Sequence, residues 1–136
     1  VKEGLLKNIK EKGKFPFFTA GSNNTVYYSW KRIYALEQFH KSGLIPKLLS
    51  LEKVKTIIIF GSAIRGDWYK DSDIDIFMYG PSDDFDKNVY EVKLGKHIEL
   101  HVFENKKEIE EVATGLIKNI GNGYLIKGQM YDVLRA

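Results

Sequence analysis

The sequence predicts a small α/β or α+β domain, a β-sheet flanked by helices. Three observations lead there. Val54 to Phe60 is a short, continuous, largely β-branched run that ends on Gly61-Ser62, the pattern of a buried strand. Ile74 to Met78 is a second strand, stopped by Gly80-Pro81, and it makes a hairpin-like pair with the first. His97 to Phe103 alternates, with Ile98, Leu100 and Val102 on one face, which predicts a third strand.

The remaining elements follow in chain order. Residues 1–14 are Lys-rich with Leu5, Leu6 and Ile9, a short helix ended by Lys12-Gly13-Lys14. Pro16 extends the backbone around Phe15-Pro16-Phe17-Phe18, and residues 20–24 have loop composition. Thr25 to Lys41 carries Trp30, Ile33, Tyr34, Leu36 and Phe39 at roughly helical spacing, with Ser42-Gly43 as its stop. Pro46 suits the first turn of a helix to Leu51. Ser62 to Arg65 opens a short helix at the end of the first strand. Asp83 to Tyr90 is weakly helical, and Glu104 to Ile120 is helical with a break near Thr114-Gly115. Gly121-Asn122-Gly123 turns the chain into a last strand at Tyr124-Leu125-Ile126. Residues 1–52 thus read as a basic helical segment packed on a sheet domain at residues 53–136.

With 136 residues, 43% of them apolar, the chain can bury one real core but not two. Its apolar runs are only a few residues long, too short for a membrane-spanning helix. It contains no cysteine, which excludes disulfide scaffolds, thiolate zinc sites and a cysteine nucleophile, and fits a cytoplasmic protein. Net charge is +3, unevenly spread: residues 1–55 hold 11 Lys/Arg against 4 Asp/Glu, and residues 56–136 hold 10 against 14. The basic first part is a candidate surface for nucleic acid; it is equally the pattern of an ordinary solvated face.

The chemistry concentrates at Ser72-Asp73-Ile74-Asp75-Ile76. In a strand, residues i and i+2 share a face, so Asp73 and Asp75 project together while Ile74 and Ile76 bury on the other side. Two carboxylates this close repel unless a cation neutralises them. Hard divalent cations with oxygen ligands, Mg²⁺ above all, do so. Glu99 lies out of phase with Ile98 and Leu100, so it leaves the apolar face of its strand and can join the aspartates. Gly61 lets backbone N–H groups approach an anion; Ser62 adds a hydroxyl, and Arg65 a positive charge one helical turn on. A phosphate grip beside a carboxylate pair points to phosphoryl or nucleotidyl transfer, in which positioning and charge neutralisation are most of the protein's task.

Gly61-Ser62, a ten-residue spacer, Asp73-Ile74-Asp75 and then Ile98-Glu99-Leu100 resemble the DNA polymerase beta-like nucleotidyltransferase superfamily. Phe60-Gly61-Ser62-Ala63-Ile64-Arg65-Gly66 with Ser72-Asp73-Ile74-Asp75 is most similar to its small prokaryotic, "minimal" members. The resemblance implies a mixed sheet and Mg²⁺-dependent transfer of a nucleoside monophosphate from an NTP, with ATP the expected donor. It implies two metals held by Asp73, Asp75 and a third acid, here Glu99, with Glu104 the alternative, and a phosphate grip at Gly61 and Ser62. It leaves the hydroxyl acceptor open: a partner toxin protein is one class, since such enzymes often act as antitoxins, and a small molecule such as an aminoglycoside is another, which needs an acceptor-binding domain that 136 residues leave little room for. The whole chain is similar to archaeal members with a winged-helix module ahead of the transferase domain, on Lys14-Phe15-Pro16-Phe17-Phe18, Ser42-Gly43-Leu44-Ile45 and residues 122–128. On that likeness the chain begins after or within the last piece of a DNA-binding module. The contrasting reading is a non-catalytic nucleotide-sensing or DNA-binding regulator that keeps the fold.

Blander roles compete at each position. Asp-rich loops serve as turns and caps. Glu99, His97 and His101 read equally well as exposed strand residues, the two histidines more so. Trp30, Tyr34 and Phe39 read as packing aromatics. Trp68 and Tyr69, in the loop ahead of the aspartates, either shield the site or stack on a base.

Overall fold

The computed structural model describes residues 25–69, 71–82 and 84–133. The helix, extended segment and loop expected over 1–14, 15–18 and 20–24 lie outside them. The elements in order are α1 (Thr25–Lys41), α2 (Leu44–Leu49), β1 (Thr56–Phe60), α3 (Ser62–Arg65), β2 (Ile74–Tyr79), α4 (Lys87–Leu94), β3 (Ile98–Phe103), α5 (Lys106–Glu110), α6 (Thr114–Gly121), β4 (Tyr124–Lys127) and a 3₁₀ turn at Met130–Asp132. The strands form one mixed sheet in the order β3-β2-β1-β4. β1 runs antiparallel to both β2 and β4, while β2 and β3 are parallel. A parallel pair needs a crossover, and α4 supplies it.

Strand alternation sorts the side chains onto two faces, both covered. On one face Ile57 and Ile59 of β1, Ile74, Ile76 and Met78 of β2 and Ile98 of β3 pack with Ala35 and Phe39 of α1 and Leu44, Ile45 and Leu48 of α2. On the other, Ile58, Phe60 and Phe77 pack with Ile109 of α5, Ile120 of α6 and Val133. Because both sides of β1 are buried, all five of its residues are inaccessible, which is why its sequence is a run rather than an alternation. Residues of α1 and α2 therefore share one core with the strands.

Several local expectations shift. The helix expected from Pro46 begins two residues earlier, at Leu44, on the left-handed Gly43 (φ 87°). The weak helix expected over Asp83–Tyr90 runs instead from Lys87 to Leu94, where Asp86 accepts a hydrogen bond from the Asn88 N–H at 3.0 Å and caps the first turn. The break in the long helical stretch falls at residues 111–113, ahead of Thr114-Gly115, because Asn105 caps a short α5 that ends after one turn. On α1 the buried positions are Ala35 and Phe39, whereas Ile33 and Tyr34 face solvent. The aromatic stripe is therefore not uniformly a packing face: Phe39 packs, and Tyr34 does not.

Candidate functional site: an acidic cavity at the β1, β2 and β3 ends

β1 leads into the site through Gly61. Phe60 pairs with Asp75 across the β1–β2 ladder, so the next residue along, Gly61, lies against the Asp75 carboxylate. Gly61 has φ 87° and ψ −155°, and a Cβ there would collide with Asp75 Oδ2. Both the backbone conformation and the contact require glycine. We expect Gly61→Ala to displace the Asp75 carboxylate and to lower stability by at least about 1–2 kcal/mol, checked by urea melts, since it combines left-handed strain of that size with a steric push.

α3 follows at once. The Ile64 and Arg65 N–H groups donate to the Gly61 carbonyl at 3.1 and 3.0 Å, closing a turn whose first N–H groups, those of Ser62 and Ala63, have no partner within the helix. Gly66, also left-handed at φ 89°, ends it with its Cα pressed against the Tyr28 backbone of α1. α1 thus backs the turn.

The ten-residue spacer is held on both sides. Trp68 does not shield the site. It is 9% exposed and packs edge-on against Phe39, ring centroids 5.6 Å apart. Lys96 lies 4.7 Å from the Trp68 ring centroid and donates to the Tyr69 carbonyl at 2.5 Å; burial lowers its pKa against the opposing pull of Asp71. The Tyr69 N–H donates to Ser72 Oγ at 3.1 Å, and the Ser72 N–H returns to the Tyr69 carbonyl at 3.0 Å. Asp73 enters β2 from a fixed point. Tyr69 itself is 64% exposed on the cavity rim.

Asp75 and Glu99 are register partners on the parallel β2–β3 pair, and His101 lies two residues beyond Glu99 on the same face. One ligand atom from each of Asp75, Glu99 and His101 lies within 4.8 Å of the other two. His101 Nε2 is 3.4 Å from Asp75 Oδ1, and its ring rests against Phe60 at 5.1 Å. His101 is not the exposed histidine expected from the sequence: its side chain is 19% exposed, whereas that of His97 is 57% exposed and pairs with Glu91 at 2.9 Å. Burial raises the Asp75 pKa above the ordinary aspartate value, the His101 hydrogen bond and charge pull it back, and the nearby Glu99 and Asp73 charges raise it further.

These groups line a cavity of about 440 Å³, within the range of ligand pockets. Every site residue expected from the sequence (Gly61, Ser62, Arg65, Asp73, Asp75 and Glu99) faces it, joined by Asp67, Asp71, His101 and, from α6, Leu116 and Asn119. Glu104, the alternative acid, lies beyond the end of β3 and outside the lining. Arg65 Nε donates to Asp67 Oδ2 at 3.3 Å on the open rim, a pair worth at most about 1 kcal/mol. A donor set of carboxylates with one imidazole, one carboxylate holding its proton above the usual range, fits a divalent cation. His101, Leu116 and Asn119 are what the sequence reading missed. Alternation put His101 in phase with Glu99, but only the β2–β3 register brings it to Asp75.

A mixed sheet gathers carboxylates at its strand ends, beside a Gly-Ser turn, a donor set that could hold a divalent cation. The chain belongs to the nucleotidyltransferase domain family, whose model matches residues 41–127, within the DNA polymerase beta-like superfamily. Among solved structures, the toxin-antitoxin with AMP-PNP is 18% identical and aligns over 71% of this chain and 76% of that one, with a TM-score of 0.46. A mutant of the toxin-antitoxin MntA-HpeT is 20% identical over 68% of this chain and 77% of that one, also at 0.46. No curated protein matches the chain. Among the described residues no helix is long and apolar enough to cross a membrane.

Proposed function

We propose that the protein is a Mg²⁺-dependent nucleotidyltransferase that moves a nucleoside monophosphate from an NTP, ATP first, to a hydroxyl on a partner protein of the toxin class. The observation that carries this reading is the convergence of Gly61, Ser62, Arg65, Asp73, Asp75 and Glu99 on one cavity. Asp73, Asp75 and Glu99 would hold the two divalent cations, Mg²⁺ being the one that accompanies the triphosphate. When bound, the cation neutralises phosphate oxygens and favours departure of pyrophosphate. The Ser62 hydroxyl and the first N–H groups of α3 hold the phosphates. Arg65 leaves Asp67 for the leaving pyrophosphate. The acceptor oxygen attacks the α-phosphorus as the bond to the bridging oxygen breaks, and the acceptor proton passes to a Glu99 carboxylate oxygen. Residues 53–136 carry this chemistry in our reading. Residues 25–52 brace it through Ala35, Phe39, Leu44 and Leu48, which share the sheet's core.

Calorimetric titration of ATP with Mg²⁺, beside an Asp73→Asn/Asp75→Asn double variant, tests the reading. Binding that needs both Mg²⁺ and the aspartates supports it. Absence of binding by any NTP at millimolar concentration overturns it and directs attention to the DNA-binding regulator, whose affinity would fall steeply with salt and ignore the double substitution. Arg65→Ala is expected to weaken ATP by about 10–100-fold, the loss of a hydrogen-bonded charge pair of about 1.5–3 kcal/mol, with the melting temperature unchanged because the side chain is exposed.

A further inference from the structure

The cluster closes on a different set of residues from the one the sequence singles out. Asp73 and Asp75 are the sequence-adjacent acids, yet the ligand atoms that lie within 4.8 Å of one another belong to Asp75, Glu99 and His101. We infer that His101 Nε2 is itself a metal ligand, so that Asp75, Glu99 and His101 form a mixed nitrogen–oxygen position that takes Mn²⁺, Co²⁺ or Zn²⁺ in preference to Mg²⁺. The Asp73–Asp75 side remains all-oxygen, suited to the Mg²⁺ that accompanies a triphosphate. This rests on the cation-site reading above and narrows it.

Three observations support the assignment. First, the separation fits. Two donors each about 2.0–2.1 Å from one ion at a tetrahedral angle lie about 3.4 Å apart, and His101 Nε2 lies 3.4 Å from Asp75 Oδ1, long for a hydrogen bond. Second, the imidazole is held in place. Its backbone is in the β2–β3 ladder opposite Phe77, its ring is tilted against Phe60 at 5.1 Å, and it is mostly buried. Third, the donor chemistry discriminates. Imidazole favours the later transition ions over Mg²⁺, whereas carboxylates alone do not.

The test uses the full chain without nucleotide. Co²⁺ and Mg²⁺ are titrated by calorimetry into the wild type and His101→Gln, and imidazole ¹⁵N resonances of the wild type are followed as Zn²⁺ is added. We expect Co²⁺ to bind at least about 100-fold more tightly than Mg²⁺. His101→Gln should lose at least about 10-fold of the Co²⁺ affinity, with Mg²⁺ affinity changed less than about threefold. Zn²⁺ should shift the His101 Nε2 resonance while those of His40 and His97 stay in place, a signature that a merely structural histidine would not give. If Co²⁺ binds equally well to both proteins, or the His101 resonance does not respond, the inference is overturned while the Mg²⁺–ATP reading stands. If no dication binds, alone or with ATP, both fall.

Discussion

Asp75→Asn is expected to lower nucleotidyl transfer by at least about 100-fold while leaving the fold as stable as the wild type, or more stable. Asp75 lies where the Gly61 turn, β2 and β3 meet. It lies against Gly61, pairs in register with Glu99 and has Oδ1 3.4 Å from His101 Nε2. Removing its charge deprives any bound dication of its central oxygen ligand, and several kcal/mol of charge stabilisation correspond to two or more decades of rate. Stability moves the other way. Burial, Glu99 and Asp73 raise the Asp75 pKa in the folded protein against the weaker pull of His101. A carboxylate whose folded-state pKa lies above its unfolded one opposes folding at neutral pH, and this opposition fades as the pH falls through the folded value. Asparagine keeps the shape and removes the charge. Pyrophosphate release and thermal melts, each with and without Mg²⁺, check both halves. Mg²⁺ should raise the melting temperature of the wild type and not of the variant. Activity within tenfold of the wild type would remove Asp75 from the chemistry.

The same residue shows what the sequence could disclose. Strand periodicity alone placed Asp75 and Glu99 off the apolar faces of their strands, and the Gly-Ser pair after a buried run located the turn that lines the cavity. These are local signals, carried by residues within one element of each other. Two features were not local. His101 is in phase with Glu99, but its proximity to Asp75 depends on β2 and β3 being parallel neighbours in one particular register, which a single sequence does not encode. The burial of Trp68 depends on α1 crossing behind the spacer. An aromatic in an Asp-rich loop reads as a rim residue until the helix that covers it is known; its neighbour Tyr69, of the same chemistry, does remain on the rim. Element ends moved by a few residues for a related reason. Asp86 and Asn105 cap α4 and α5, and caps rather than hydrophobic periodicity decide where short helices start.

Phe39→Ala is expected to destabilise the protein by about 3–5 kcal/mol, the cost of truncating a fully buried phenylalanine. That is a large part of the about 5–15 kcal/mol available to a domain of this size, and corresponds to a fall in melting temperature of about 10–20 °C. Phe39 has no exposed surface and lies in the core shared by α1, α2 and the strands. Its loss is felt beyond the cavity it leaves, because its ring is the edge-on partner of Trp68. Trp68 anchors the middle of the spacer between the Gly61-Ser62 turn and the aspartates. With Phe39 gone, Lys96 still holds the loop from the other side, through the Trp68 ring and the Tyr69 carbonyl, but the ring–ring anchor is lost. Asp73 then has a looser entry into β2, and ATP affinity should fall even at temperatures where the variant is fully folded, since a misplacement of about 1 Å can cost two decades in in-line chemistry. Phe39→Leu separates the two effects: it keeps most of the volume, costs less than Phe39→Ala and removes the ring–ring contact. Urea melts with calorimetric ATP titrations on both variants provide the measurement. A loss of stability below about 1 kcal/mol in Phe39→Ala would mean that α1 does not belong to the core that supports the site.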